Sequence, residues 1–97
     1  KLLYLDADVI VQRSLHELFL VDASNCDVAG VLDPNNAGHK AYVEQQLGVA
    51  ATAYINSGVL LFNTVNCLKH GFRLRCFDVL QSHPQLFCPD HDMINVA

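Results

Sequence analysis

Residues 2–11, LLYLDADVIV, constrain the fold more than any other stretch. They lack the alternation of a strand with one wet face. A run apolar on both faces and rich in Val, Ile and Leu suits a central strand of a parallel sheet with helices on both sides. Its only charged members are Asp6 and Asp8. In an extended chain, residues two apart point the same way. The pair would then present its oxygens to one point, at a strand end, where open α/β sheets bind ligands.

The rest of the chain alternates in type. Ser14 and Glu17 have capping-box spacing, predicting a short helix over 15–19. Residues 26–33, CDVAGVLD, read as a second strand ending on Asp33. Pro34, Asn35, Asn36 and Gly38 predict a turn, followed by a helix over 39–47 with Gly48 as its stop. Its partial apolar stripe is Tyr42, Val43, Gln46 and Leu47. Residues 54–63, YINSGVLLFN, form the third strand. Asn66 is placed to cap a helix over 67–80, ended by His83 and Pro84, and Asp90 to cap a last one. The order β-α-β-α-β-α-α predicts one α/β domain with a mixed, mostly parallel sheet flanked by helices.

Composition narrows the partners. Of 97 residues, 52% are hydrophobic and 16% charged, so a packed core is expected. A net charge of −4, with six scattered Lys and Arg, argues against nucleic acid or an anionic membrane surface. Cys26, Cys67, Cys76 and Cys88 have no zinc-site spacing. They read as free thiols of a reducing compartment, though four could also pair. The chain starts within a strand and ends within a helix, so it is expected to be part of a longer protein.

Oxygen ligands from Asp6 and Asp8 suit Mn²⁺ or Mg²⁺, and such a metal commonly bridges a diphosphate. Two closely placed carboxylates repel, and a cation relieves that cost. The plain alternatives are local. Asp6 could be a turn acid and Asp8 solvated. Asp33 could start an Asp-Pro turn, Asn56 could be a turn amide and Asp90 a helix cap. Two enzyme classes place D-x-D after an apolar strand. In haloacid dehalogenase-like phosphatases the first Asp is the nucleophile and the second a general acid. They require a Ser or Thr after the second strand, where this chain has VLDP.

Taken together, KLLYLDADVIV, VLD, YINSGVLLFN and DHDMIN resemble glycosyltransferase family 8 in order and spacing, over almost the whole chain. The resemblance implies a GT-A fold and a retaining transferase moving a hexose from a UDP-sugar, such as UDP-glucose or UDP-galactose, to an acceptor hydroxyl. It implies that Asp6 and Asp8 hold Mn²⁺ against the diphosphate and that Ala7 faces the ribose. It also implies that Asp33, Asn56 and Asp90 line the donor-sugar pocket, with Ser57 and Gly58 leaving room there. The acceptor would be a carbohydrate or glycolipid. The family also has luminal eukaryotic members, but the free thiols and the lack of any Asn-x-Ser/Thr favour a cytoplasmic setting, at the inner face of a membrane reached through other segments. The N-terminal uracil-binding strand and a C-terminal histidine ligand of the family have no counterpart here, so residues 1–97 would be the middle of one catalytic domain and inactive alone.

His91 departs from the family, whose pattern most often reads Asp-Gln-Asp. The resemblance puts residue 91 under the reacting anomeric carbon, which makes His91 and Asp33 the candidate catalytic residues. A cationic ring beside an oxocarbenium-like centre would hinder the reaction, so His91 is expected to work neutral. The substitution favours front-face attack guided by UDP over double displacement. It is also the one hint toward a non-catalytic sugar-nucleotide-binding module.

Overall fold

A computed structural model describes residues 1–34 and 36–97. The chain is α/β, built on a three-stranded sheet in the order β1-β3-β2. Strand β1 is Leu2–Leu5, β2 is Val28–Leu32 and β3 is Ile55–Phe62. Among the described residues, five α-helices alternate with and follow the strands: α1 His16–Phe19, α2 Lys40–Gln45, α3 Thr64–Lys69, α4 Phe72–Ser82 and α5 Pro89–Val96. None of the described helices is long and apolar enough to cross a membrane. All four cysteines are free thiols.

The sheet corrects the expected strand directions. Both outer strands pair antiparallel with β3, from Leu2 opposite Phe62 to Leu5 opposite Val59, and from Val28 opposite Phe62 to Leu32 opposite Ile55. β1 and β2 thus run the same way but never touch as a parallel pair. β3, not β1, is central. Its successive residues Leu60 and Leu61 are both buried, so both faces of the sheet are covered there. A doubly apolar run reports cover on both faces, and it does not report direction.

The first apolar run is divided rather than continuous. β1 stops at Leu5, and residues 6–9 turn, with the Val9 amide donating to the Asp6 carbonyl at 3.3 Å. Val9, Ile10 and Val11 then run exposed along a groove walled by Leu15, Leu18 and Val21. The predicted capping box is also different. Ser14 Oγ accepts from the His16 amide at 3.2 Å, and α1 is a single turn.

The middle follows the local signals more closely. Asn35 of the predicted turn lies outside the described residues. A 3₁₀ turn over Asn36–His39 leads into α2. Gly48, at φ +70°, turns the chain away just past the Gln46 C-cap of that helix, and the Val49 amide reaches back to the Val43 carbonyl at 3.2 Å. Val43 and Leu47 pack with Tyr54 as a core, joined by Tyr42, Val49, Leu86 and Val96.

The helix expected over 67–80 is two helices. Gly71 sits at φ +63°, a conformation that costs a residue with a side chain, and the chain bends there between α3 and α4. The cap of α3 is Asn63, whose side chain accepts from the Asn66 amide at 3.1 Å. Asn66 instead donates to the Ser24 and Cys26 carbonyls, at 2.9 and 3.0 Å. In α5 the N-cap is Cys88, with Pro89 leading the first turn, so Asp90 lies inside that turn and not at the cap.

Candidate functional site

Antiparallel pairing brings the polar residues to one rim. The C-terminal ends of β1 and β2 lie beside the start of β3. The Asp6 amide donates to the Gly58 carbonyl at 2.9 Å, and the Asp33 amide to the Tyr54 carbonyl at 3.0 Å. Asp6, Asp33, Asn56 and Ser57 therefore share the same edge of the sheet. Helix α5 closes over it. The Asn95 side chain bonds both backbone groups of Ile55, and Ser57 Oγ donates to Asp90 Oδ2 at 2.8 Å.

The β1 corner is built around Gly58. Asn56 Oδ1 accepts from the Gly58 amide at 2.7 Å. A Cβ on Gly58 would lie 2.9 Å from Asn56 Oδ1 and 3.0 Å from Asp6 Oδ2. Only a glycine lets these two oxygens close in on the strand. Tyr4 Oη donates to Asp6 Oδ1 at 3.0 Å. That bond and the Asp6 charge push the Tyr4 phenol up, and the charges of Asp90 and Asp8 add to it. One phenol thus feels three acids of the rim.

Two expectations about the acids need correction. Residues 6–9 turn, so Asp6 and Asp8 are not extended neighbours on one face, and Ala7 sits exposed between them. The acids also differ in their exposure, so close repulsion between buried carboxylates is not what they present. Asp6 and Asp33 are half-buried, while Asp8 is exposed. Solvent relieves Asp8 without a cation. Among the described residues, no three His, Cys, Asp or Glu side chains gather as a metal cage. Carboxylate oxygens such as those of Asp6 and Asp8 are nonetheless of the kind hard divalent cations take. They fit an ion that draws most of its coordination from elsewhere, as Mg²⁺ commonly does from water and phosphate.

The α5 corner joins Ser57, Asp90 and His91. Ser57 is buried, and its Oγ lies 2.9 Å from His91 Nδ1 as well as 2.8 Å from Asp90 Oδ2. Partial burial raises the Asp90 carboxyl. The hydrogen bonds from Ser57 and from the side chain and backbone of His91 outweigh it, leaving the group below the usual carboxylate range. His91 also lines a cleft of about 170 Å³ with Asp33, Tyr42, Tyr54 and Phe87. The two residues expected to be catalytic, Asp33 and His91, therefore face one cavity. The hydroxyl of Ser57 is engaged by α5, a different arrangement from a small residue that merely leaves space.

Sequence reasoning missed the residues that hold this corner together. Asp92 is 1% exposed. Its carboxylate accepts from Tyr54 Oη at 2.6 Å, Tyr42 Oη at 2.8 Å and the Cys88 amide at 3.0 Å. Burial, then the Asp92 contact, pushes the Tyr54 phenol far up. Burial followed by the charges of Asp92, Asp90 and Asp33 raises the Cys88 thiol. Asp92 carried a signal, an acid one turn after the start of an amphipathic helix. Its partners lie 38 and 50 residues away in the chain. Of the other histidines, His70 Nδ1 meets Asp27 at 2.7 Å, away from the rim, while His39 lines the same cleft as His91, against the Phe87 ring.

The chain is 33% identical over 102 residues to the lipopolysaccharide glucosyltransferase WaaO of Escherichia coli K12, covering 99% of this chain and 30% of that protein. It is 32% identical over 98 residues to a lipopolysaccharide 1,2-glucosyltransferase of Escherichia coli, covering 98% and 29%. It is 31% identical over 97 residues to the glycosyltransferase GlyA of Streptococcus pneumoniae, covering 99% and 12%. The chain thus spans less than a third of the length of each of these relatives. No solved structure gives a significant match. The sequence profile of glycosyl transferase family 8 matches residues 1–97, and the chain belongs to that family, whose fold is of the GT-A nucleotide-sugar transferase type.

Proposed function

We propose that residues 1–97 are the central part of the catalytic domain of a retaining glycosyltransferase, which moves a hexose from a UDP-sugar to a hydroxyl of a carbohydrate or glycolipid acceptor. The observation that carries this is the shared rim, where Asp6, Asn56 and Gly58 meet at one corner and Ser57, Asp90 and His91 at the next. In this reading Asp6 and Asp8 hold Mn²⁺ or Mg²⁺ beside the diphosphate, and Ala7 faces the ribose. A bound ion there supplies Lewis-acid stabilisation of the departing UDP. Asn56 and Asp90 orient the donor sugar, and Asp33 and His91 border the reacting carbon. Two relatives carry glucosyltransferase in their names, which makes UDP-glucose the first donor to test and UDP-galactose the second. Their lipopolysaccharide acceptors favour a cytoplasmic enzyme working at the inner face of the membrane.

The test uses the full-length protein that carries this sequence. It is incubated with UDP-glucose or UDP-galactose, with Mn²⁺ or with EDTA, and UDP release is followed. Release that needs the metal and is lost in Asp8→Asn supports the transferase. Metal-dependent UDP binding without release, with acceptors supplied, supports the non-catalytic module. Release of inorganic phosphate from a phosphomonoester would return the phosphatase reading. Neither binding nor release removes the nucleotide-sugar reading altogether.

A further inference from the structure

Ser57 has one proton and two partners. Its Oγ lies 2.8 Å from Asp90 Oδ2 and 2.9 Å from His91 Nδ1. An ionised carboxylate only accepts, so the contact with Asp90 uses the hydroxyl proton of Ser57. That leaves the Ser57 oxygen as the acceptor toward the ring, and the proton in the second contact must come from Nδ1. A third distance agrees. His91 Nδ1 lies 3.4 Å from Asp90 Oδ1, another atom that only accepts. A bare Nδ1 would face two oxygens with no proton to share between it and Asp90.

We infer that Ser57 and Asp90 lock His91 in the Nδ1–H tautomer, so that the neutral ring presents Nε2 as a bare hydrogen-bond acceptor. Ser57 is a positioning residue in this arrangement, acting on substrate through His91. It is 3% exposed, so water does not compete for its single proton. The lock spans two elements. Ser57 belongs to β3, while Asp90 and His91 sit in the first turn of α5. The docking of α5 on the sheet, through Asn95 and Ile55, therefore sets the ring's protonation pattern as well as its place.

The consequence is a sharp chemical preference. A side-chain amide can turn either its oxygen or its NH₂ toward a ligand. A neutral imidazole held by Nδ1 can only accept at Nε2. A partner of His91 in the cleft must then bring a proton, as a sugar hydroxyl does. The proton on Nδ1 follows from the geometry, and with the ring neutral that leaves Nε2 bare. Its catalytic consequence deepens the transferase reading and rests on it.

The test is ¹⁵N NMR of the full-length protein with labelled histidine at neutral pH. The resonances of residue 91 are identified by their loss in His91→Gln. The expected spectrum has Nδ1 protonated and Nε2 bare. Ser57→Ala should shift residue 91 toward the Nε2–H form. A wild-type ring with its proton on Nε2 overturns the inference, and so does a Ser57→Ala spectrum unchanged at His91. If Ser57→Ala does not fold, the wild-type spectrum decides by itself. Kinetics supply the second readout, as UDP release from UDP-glucose. Ser57→Ala should lower kcat roughly tenfold, the worth of one hydrogen bond. It should add nothing in a His91→Gln background, whereas a purely structural loss would persist there. A locked tautomer in a protein that releases no UDP keeps this inference and discards the transferase reading.

Discussion

The side chain of Asn95 in α5 hydrogen-bonds both backbone groups of Ile55 at the start of β3. Its Oδ1 accepts from the Ile55 amide at 2.7 Å and its Nδ2 donates to the Ile55 carbonyl at 2.8 Å. The amide thus pairs with the main chain as a neighbouring strand would, and it ties the helix carrying Asp90 and His91 to the rim. Asn95→Ala should cost about 1–3 kcal/mol by leaving the Ile55 groups unpaired. Urea unfolding of the full-length protein checks the size. Asn95→Asp keeps the acceptor but sets a carboxylate oxygen against the Ile55 and His91 carbonyls, so it should cost at least as much as Ala.

Gly58 makes the β1 corner possible. In Gly58→Ala the new methyl meets Asn56 Oδ1 at 2.9 Å and Asp6 Oδ2 at 3.0 Å. One of those oxygens has to move. Metal-dependent UDP release should fall at least about tenfold, while the melting temperature drops by the modest amount expected of a local clash of about 1–3 kcal/mol. Full activity in this variant would show that the Asp6 position is not used.

Tyr54 and Asp92 predict an alkaline weakness. In the folded chain Tyr54 is held protonated well above the ordinary phenol value of 10.0, by burial first and by Asp92 second. The unfolded chain gives up that proton near the ordinary value. The stabilisation is therefore complete below about pH 10 and declines as pH rises beyond it. Tyr54→Phe should flatten this alkaline decline. At neutral pH it should cost about 1–3 kcal/mol, because Asp92 Oδ1 loses its buried donor. Stability measured from pH 8 upward in both proteins is the check.

Asp27 predicts the opposite slope. Arg75 and then His70 hold its carboxyl below the usual value of 3.8. The folded chain keeps Asp27 ionised where the unfolded chain protonates. That stability is present above the ordinary value and lost as pH falls through the folded one. Arg75 also donates to the carbonyls of His70, at 2.7 Å, and Ala97, at 2.9 Å. Arg75→Met should therefore loosen both the α3–α4 bend and the end of α5. Acid unfolding should show a smaller pH dependence below pH 4 in Asp27→Asn than in wild type.

What could be read without a structure was whatever local chemistry decides. The three strand cores, the stop at Gly48 and the helix starting near Asp90 follow from apolar runs and from glycine or proline at their ends. The polar residues at strand ends could be picked out because a charged group is costly inside an apolar run. Tertiary structure decided the rest. The antiparallel placement of β3 rests on pairings between residues such as Leu5 and Val59, which no local pattern encodes. The turn at residues 6–9, closed by the Val9 amide on the Asp6 carbonyl, sets Asp8 in solvent. Asp92 is the buried anchor of α5 only because its partners Tyr42 and Tyr54 come from distant parts of the chain. Sequence alone marked the residues able to carry charge and hydrogen bonds. Only the packing of α5 against β3 determined which of them are satisfied inside the fold and which remain to meet a ligand, because a buried polar group keeps its place only where a partner reaches it.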